Sequence, residues 1–256
     1  MEAYSSFAQV YDLFMDNVPY EEWSSYLTGL LQEYNVTEGT VVELGCGTGK
    51  MTRLLADAGY DMVGVDNSAE MLEIAGERQE EEERNDILYL LQDMRELELF
   101  GNIRAIVSVC DSMNYIMEYQ DLVQVFRLVN NYLDPRGVFI FDLNTEYKYR
   151  ELLADNTFAE AREESSFIWD NFYDESSGIN EYDLTLFIRE GQLYRKYEET
   201  HFQKAYSLDE VKRAAREAGM EFVAAFDACT SNPVRKDSER IYIIMREHGK
   251  TMRDEE

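Results

Sequence analysis

Three glycines at alternate positions follow an acid in Glu43-Leu44-Gly45-Cys46-Gly47-Thr48-Gly49-Lys50, and this is the chemically most informative stretch of the chain. Glycine tolerates positive φ and carries no Cβ. A turn holding Gly45, Gly47 and Gly49 therefore lets a ligand lie against bare backbone beside a helix N-terminus. Glu43, just ahead of the turn, suits a cationic ligand better than a phosphate. A dinucleotide site would show G-x-G-x-x-G, with a helix end left for pyrophosphate. The tighter G-x-G-x-G here makes a nicotinamide oxidoreductase the disfavoured rival. A second acid, Asp66, ends the apolar run Met62-Val63-Gly64-Val65 about twenty residues past the glycines, where a strand-end carboxylate can take both hydroxyls of a ribose. Polar residues crowd the end of another apolar run in Cys110-Asp111-Ser112-Met113-Asn114-Tyr115, and His201 stands far downstream.

These residues need elements to hold them. Val41 to Leu44 reads as a buried strand turning into a helix whose Met51, Leu54, Leu55 and Ala58 recur at helical spacing, with Gly59 as its stop. Met62 to Asp66 is a second strand. Ser68 is the better N-cap for the helix beginning at Ala69, which leaves Asp66 to a ligand. The acidic run Glu77 to Glu83 is a solvated face. Ile87 to Leu91 is a third strand ending at Gln92-Asp93-Met94, and Ala105 to Val109 is a fourth. A helix over Gln120 to Tyr132 and a turn at Asp134-Pro135-Arg136-Gly137 lead to a fifth, Val138 to Phe141, ending near Asn144. Strands alternating with helices in this way predict a parallel sheet. Ahead of them, Pro19 precedes an amphipathic helix presenting Trp23, Tyr26, Leu27, Leu30 and Leu31.

The rhythm then changes. Phe167 to Tyr173, Tyr182 to Ile188 and Leu193 to Phe202 alternate without helical spacing, and Glu175-Ser176-Ser177-Gly178 and Glu190-Gly191 separate them as turns. The expectation is an inserted antiparallel β meander over 161–206, between a main domain of 1–160 and 207–256. It serves as a lid or a homodimer surface, or as the wall of a substrate pocket. Ser207-Leu208-Asp209-Glu210 opens a last helix as a capping box. Met220 to Phe226 and Arg240 to Met245 form a terminal strand pair.

Composition narrows the partners. The 256 residues carry 52 acids against 24 bases, a formal charge of -28, which repels phosphate backbones and anionic membranes and disfavours nucleic acid as a partner. Cys46, Cys110 and Cys229 are odd in number and far apart, so neither a disulfide framework nor a metal site is expected, and a reducing cytoplasm fits. Met1 to Tyr20 lack the basic start and apolar core of a signal peptide, and no apolar run approaches the roughly 20 residues of a membrane span. A cytoplasmic protein with no membrane partner is the expectation.

Glu43-Leu44-Gly45-Cys46-Gly47-Thr48-Gly49 resembles the first motif of the class I methyltransferases that use S-adenosyl-L-methionine and release S-adenosyl-L-homocysteine. Cys110-Asp111-Ser112-Met113-Asn114-Tyr115 is similar to the C-D-S-x-N-Y of a bacterial small-molecule subfamily, and the N-terminal Phe7-Ala8-Gln9-Val10-Tyr11-Asp12 resembles the F-A-x-x-Y-D segment of many small-molecule methyltransferases. The resemblance implies a Rossmann-like α/β fold, a seven-stranded mostly parallel sheet flanked by helices. It implies that Glu43, Gly45, Cys46 and Gly47 hold the amino-acid end of the cofactor and that the Tyr11 hydroxyl reaches its carboxylate, with Tyr4 beside it. By the same correspondence Asp66 takes the ribose, Asn67 and Met71 flank the adenine, and Asp93 and the Met94 amide bind its edge. The Cys110 main chain faces the sulfonium. The family's L-x-P-G-G is here Leu133-Asp134-Pro135-Arg136-Gly137, a departure that should alter only the turn.

Methyl transfer from a sulfonium is an in-line displacement in which the protein aligns the reactants and excludes water. A base matters only when the acceptor is protonated, and Tyr115, His201, Asn144 and Asp111 are candidates among which the sequence does not choose. A nucleophilic Cys110 has no evident basic partner. The acceptor expected is a small molecule. The alternatives are RNA or protein methylation, the former opposed by the acidity, and a protein that binds the cofactor without transferring methyl groups.

Overall fold

The structure, a computed structural model, describes residues 18–250, so the expected cofactor tyrosines Tyr4 and Tyr11 lie outside the described residues. Its centre is β1 (Thr40–Leu44), a run of branched aliphatics buried from Val41 onward. It pairs in parallel with β2 (Asp61–Asp66) on one side and β4 (Ile103–Ser108) on the other. β3 (Leu88–Leu91) extends the sheet beyond β2, and β5 (Leu133–Asn144) lies beyond β4. β11 (Arg240–Arg246) runs antiparallel to β5, and β10 (Glu221–Asp227) closes that edge. The seven-stranded order is β10-β11-β5-β4-β1-β2-β3. The order reverses between β1 and β4, so a crevice opens at their carboxyl ends.

Both faces of the sheet are covered, which is why its strands read as near-continuous apolar runs. Val41, Val107, Val138 and Ile140 point to the side packed by α1 (Tyr20–Glu33) and α2 (Lys50–Asp57). Val42, Ile106, Phe139 and Phe141 point to the side packed by α4 (Tyr119–Tyr132) and α5 (Leu208–Ala218). α3 (Ala69–Glu81) follows β2 and is capped by Ser68, whose hydroxyl accepts from the Met71 amide at 3.2 Å. The capping box expected at Ser207 and Glu210 is present.

One local expectation is corrected, and one element is new. Asp134 to Gly137 do not separate a helix from a strand but lie within β5, where Leu133 pairs with Ile103 and Val138 with Ala105. The intervening residues bulge out, with Arg136 at φ 65°. A π-helical turn, Lys148–Leu153, also follows β5; a five-residue hydrogen-bond spacing has no simple sequence period to announce it.

The second sheet has four antiparallel strands, β6 (Thr157–Ala161), β7 (Ser165–Asp174), β8 (Ile179–Glu190) and β9 (Leu193–Lys204), in that order. Sequence periodicity indicated the last three and missed β6, a five-residue edge strand with Phe158 as its one large apolar side chain. The sheet thus begins at Thr157, inside the segment expected to end the main domain. Asn114, wholly buried, ties the end of β9 to the end of β5 in the first sheet. The Asn114 side-chain amide donates to the carbonyl of Asn144, the last residue of β5, at 3.1 Å, and to that of Lys204, the last of β9, at 2.9 Å. The Asn144 amide donates back to Asn114 Oδ1 at 3.0 Å. Among the described residues no helix is long and apolar enough to cross a membrane.

Candidate functional site

The glycine turn after β1 is built as its spacing requires. Gly45 and Gly49 sit at φ 71° and 72°, in the left-handed region. A Cβ on Gly45 would lie 2.5 Å from Ser112 Oγ, and one on Gly49 would lie 2.2 Å from Tyr89 Oη, so no other residue fits without displacing a neighbour. The amides of Gly45 and Cys46 both donate to the Val65 carbonyl, at 2.8 and 3.0 Å, and so tie the turn to β2.

Glu43 faces inward beneath this turn, 2% exposed, and accepts from the Thr52 hydroxyl. Burial pushes its carboxyl up to about 8, and the nearby Asp66 adds to that, outweighing the Thr52 hydrogen bond. Asp66, expected to be free because Ser68 caps α3, is not free. Its Oδ2 accepts from the Gly47 amide at 2.7 Å and its Oδ1 from the Ser68 amide at 2.9 Å. A carboxylate offers about four acceptor sites, so it holds the loop and retains capacity for two further donors. Burial raises its pKa, while those amides pull the other way.

A cavity of about 590 Å³ gathers these groups. Glu43, Gly45, Cys46 and Gly47 of the turn, Asp66 and Asn67 after β2, Met71 of α3, Asp93 and Met94 after β3, and Cys110 and Tyr115 after β4 all line it. Asp93 accepts from the Arg95 amide at 2.8 Å and pairs with the Arg95 guanidinium, which holds its carboxyl below the usual range.

A second cavity, about 890 Å³, lies between the sheet's carboxyl edge and the antiparallel lobe. Trp23, Phe167, Trp169 and Tyr182 give it aromatic walls; Asn144, Lys148, Gln203 and Arg240 give it polar ones. The two cavities meet at Cys110, which lines both. Burial pushes the Cys110 thiol well up, with Asp142 adding to the effect, so a thiolate nucleophile has no support there.

Cys110 and Asp111 are consecutive left-handed residues, φ 59° and 55°, a conformation costing of order 1–3 kcal/mol each unless the surroundings hold it. Asp142 holds it: its buried carboxylate accepts from both amides, at 3.1 and 2.7 Å. Arg240 then bridges Asp142 and Asp111 at 2.6 Å each, with its guanidinium over the Trp23 ring at 5.1 Å. Gln203 of β9 donates to Asp111 Oδ2 at 2.6 Å and accepts from the Tyr149 hydroxyl at 3.0 Å, so the same network reaches into the lobe. Sequence reasoning missed Arg240 and Lys148, whose partners are set by the fold. Asp142 alone left a trace, a charge inside the apolar run Val138 to Leu143. The Lys148 ammonium donates to Asn144 Oδ1 at 2.9 Å, and burial, reinforced by Arg240, lowers its pKa.

Two of the four proton-transfer candidates, Tyr115 and His201, come together, while Asp111 is held by Arg240 and Gln203. The Tyr115 hydroxyl lies 2.7 Å from that of Tyr182 and 3.2 Å from His201 Nδ1. The His201 ring stacks on Tyr182 at 4.7 Å, and its Nε2 is 3.3 Å from Glu199 Oε2. Asn144 stands apart from this group, beside Lys148.

Residues 41–137 match a family model described as a methyltransferase domain. The protein YqeM of Bacillus subtilis (strain 168), named as a methyltransferase, is 34% identical over 242 residues, 93% of this chain and 95% of that protein. A solved S-adenosylmethionine-dependent methyltransferase from Clostridium acetobutylicum ATCC 824 superposes with a TM-score of 0.86 at 28% identity, over 97% of this chain and 100% of that one. A sugar N-methyltransferase from Streptoalloteichus sp ATCC 53650 shares the fold at 15% identity, TM-score 0.73, over 92% of each chain.

Proposed function

Since the chain belongs to the class I S-adenosylmethionine-dependent methyltransferases, we propose that it methylates a small-molecule acceptor seated in the second cavity. The observation that carries this reading is the junction at Cys110: a cofactor-sized cavity and a separate, aromatic-walled one share that residue. At about 890 Å³ the second cavity falls within the range of small-ligand sites. The net charge of -28 opposes an RNA acceptor.

The first cavity fits the cofactor on two counts. Gly47 leaves its side-chain position open, the nearest atom to a Cβ there being Met71 Sδ at 4.0 Å, and Asp66 keeps acceptor capacity beyond its two amides. In this reading Glu43, Gly45, Cys46 and Gly47, with Tyr4 and Tyr11, hold the amino-acid end. Asp66 holds the ribose, Asn67 and Met71 flank the adenine, and Asp93 and the Met94 amide bind its edge. The Cys110 main chain faces the sulfonium. When bound, the cofactor supplies an electrophilic methyl group. The protein's part is alignment and exclusion of water: Trp23, Phe167 and Trp169 wall the acceptor, and Lys148 and Asn144 fix a polar group on it. The division of labour is then a cofactor-binding domain of 1–160 and 207–256 and an acceptor lobe of 161–206, its edge moved back to Thr157. Phe172 and Phe202, exposed on the lobe's outer face, are where a homodimer would form.

Two measurements test this reading. Asp66→Ala should weaken S-adenosylhomocysteine binding, read by calorimetry, by about 2 kcal/mol or more, because charge-assisted hydrogen bonds to two hydroxyls are lost; unchanged affinity removes the ribose role. A screen for S-adenosylhomocysteine release across small amines, phenols and carboxylates should find turnover. Tight cofactor binding without turnover of any of them would favour a protein that binds without transferring.

A further inference from the structure

We infer that Tyr182, Tyr115, His201 and Glu199 form a proton relay out of the second cavity, and hence that the acceptor is an N–H or O–H nucleophile that still carries its proton when it binds. The inference rests on reading that cavity as the acceptor site. The four groups come from three separate elements: the short helical turn after β4, β8, and β9. Tyr182 lines the second cavity and Tyr115 the first, and their hydroxyls are 2.7 Å apart, so the pair stands where the two cavities approach one another. Behind them His201 Nδ1 lies 3.2 Å from the Tyr115 hydroxyl, and Nε2 lies 3.3 Å from Glu199. His201 and Glu199 are 1% and 4% exposed.

A buried carboxylate and imidazole are costly to desolvate, and apolar residues of similar volume would hold β8 against β9 at less cost. The arrangement has a direction. Glu199 beside Nε2 favours the tautomer with hydrogen on Nε2, which leaves Nδ1 as an acceptor toward Tyr115. The chain of hydroxyls from Nδ1 then ends at the cavity wall. Neither tyrosine alone is a good base, since a free phenol ionises near pH 10, but a hydroxyl that hands its proton to an imidazole as it receives one is.

The step balances. The lone pair of the acceptor nitrogen or oxygen forms the new bond to the methyl carbon as the carbon–sulfur bond breaks, and that electron pair leaves on sulfur, which becomes a neutral thioether. The acceptor atom's surplus proton passes to the Tyr182 oxygen, the Tyr182 proton to Tyr115, and the Tyr115 proton to His201 Nδ1. The imidazolium so formed faces Glu199 and returns the proton to water after product leaves. A carboxylate acceptor has no proton to give and needs none of this.

The test compares phenol, which keeps its proton at slightly alkaline pH, with 4-nitrophenol, which is ionised there, and adds a primary amine and benzoate. Wild type should turn over phenol or the amine. His201→Gln and Tyr182→Phe should each lower turnover of those protonated probes by about 100-fold or more, the usual worth of a positioned proton acceptor, and should leave that of 4-nitrophenolate within a few-fold. A role confined to holding the lobe would lower all probes alike, and that result overturns the relay. If His201→Gln no longer binds S-adenosylhomocysteine, Tyr182→Phe, which deletes only a hydroxyl, decides the matter by the same comparison. Turnover of benzoate alone by wild type overturns the relay and leaves the acceptor site standing. Turnover of no probe, with S-adenosylhomocysteine still bound, overturns both.

Discussion

Glu43→Gln isolates the cost of keeping an acid under the glycine turn. In the folded chain the Glu43 carboxyl is raised from its ordinary 4.5 to about 8, chiefly by burial. Between those values the folded chain keeps a proton that the unfolded chain has released. The stability contributed by neutral Glu43 is therefore fully present below the unfolded value and is lost as pH rises through the folded one. At about 1.4 kcal/mol per pH unit, the span from 4.5 to about 8 sets a ceiling of about 5 kcal/mol. Glutamine has nearly the same shape, can still accept from the Thr52 hydroxyl, and does not titrate. Near pH 5 the variant and wild type should unfold within about 1 kcal/mol of one another, and by about pH 8 the variant should be the more stable by several kcal/mol. Urea unfolding of the ligand-free protein across that range measures the difference directly. A stability difference that does not change with pH would refute the reasoning, because it would mean that Glu43 ionises as readily inside the protein as outside.

Two other substitutions probe the frame around the site. Gly49→Ala should cost about 2–4 kcal/mol, from the left-handed backbone and from a Cβ 2.2 Å from Tyr89 Oη, and Tyr89→Phe added to it should restore part of the loss in thermal unfolding. Arg240→Met should cost about 3–5 kcal/mol by stranding Asp142 as a buried carboxylate without its counter-charge. Burial already raises the Asp142 pKa and Arg240 lowers it, so removing Arg240 raises it further. The loss should then grow as pH rises, and an equal loss at acidic and alkaline pH would contradict the assignment.

The first cavity was legible in the sequence because its determinants are local. The glycine turn announces itself within ten residues, and Asp66, Asp93 and Cys110 are each placed by the strand that ends beside them. Even there, sequence predicted a free Asp66, whereas the loop's own amides approach it. The second cavity was legible only as a region. Phe167, Trp169 and Tyr182 stand out as an alternating aromatic pattern, but a pattern does not say what a strand faces. Arg240 and Asp142 are 98 residues apart in the chain, and Tyr115 and His201 are 86 apart. The first pair exists only once β11 has paired with β5, and the second only once the antiparallel lobe has met the main domain. β6 was missed for a different reason, since a short exposed edge strand needs little apolar pattern to form.

Asn114 gives the fold a property that no single contact describes. Because one buried amide side chain clamps the outgoing and returning strands of the insertion at the same point, the long loop between them is closed at its base whatever it contains. The entropy of closing such a loop grows only with the logarithm of its length, about 0.6 kcal/mol per doubling. Residues added to the lobe's turns, away from the contacts of Tyr182, His201 and Gln203, therefore add little to the cost of closing it.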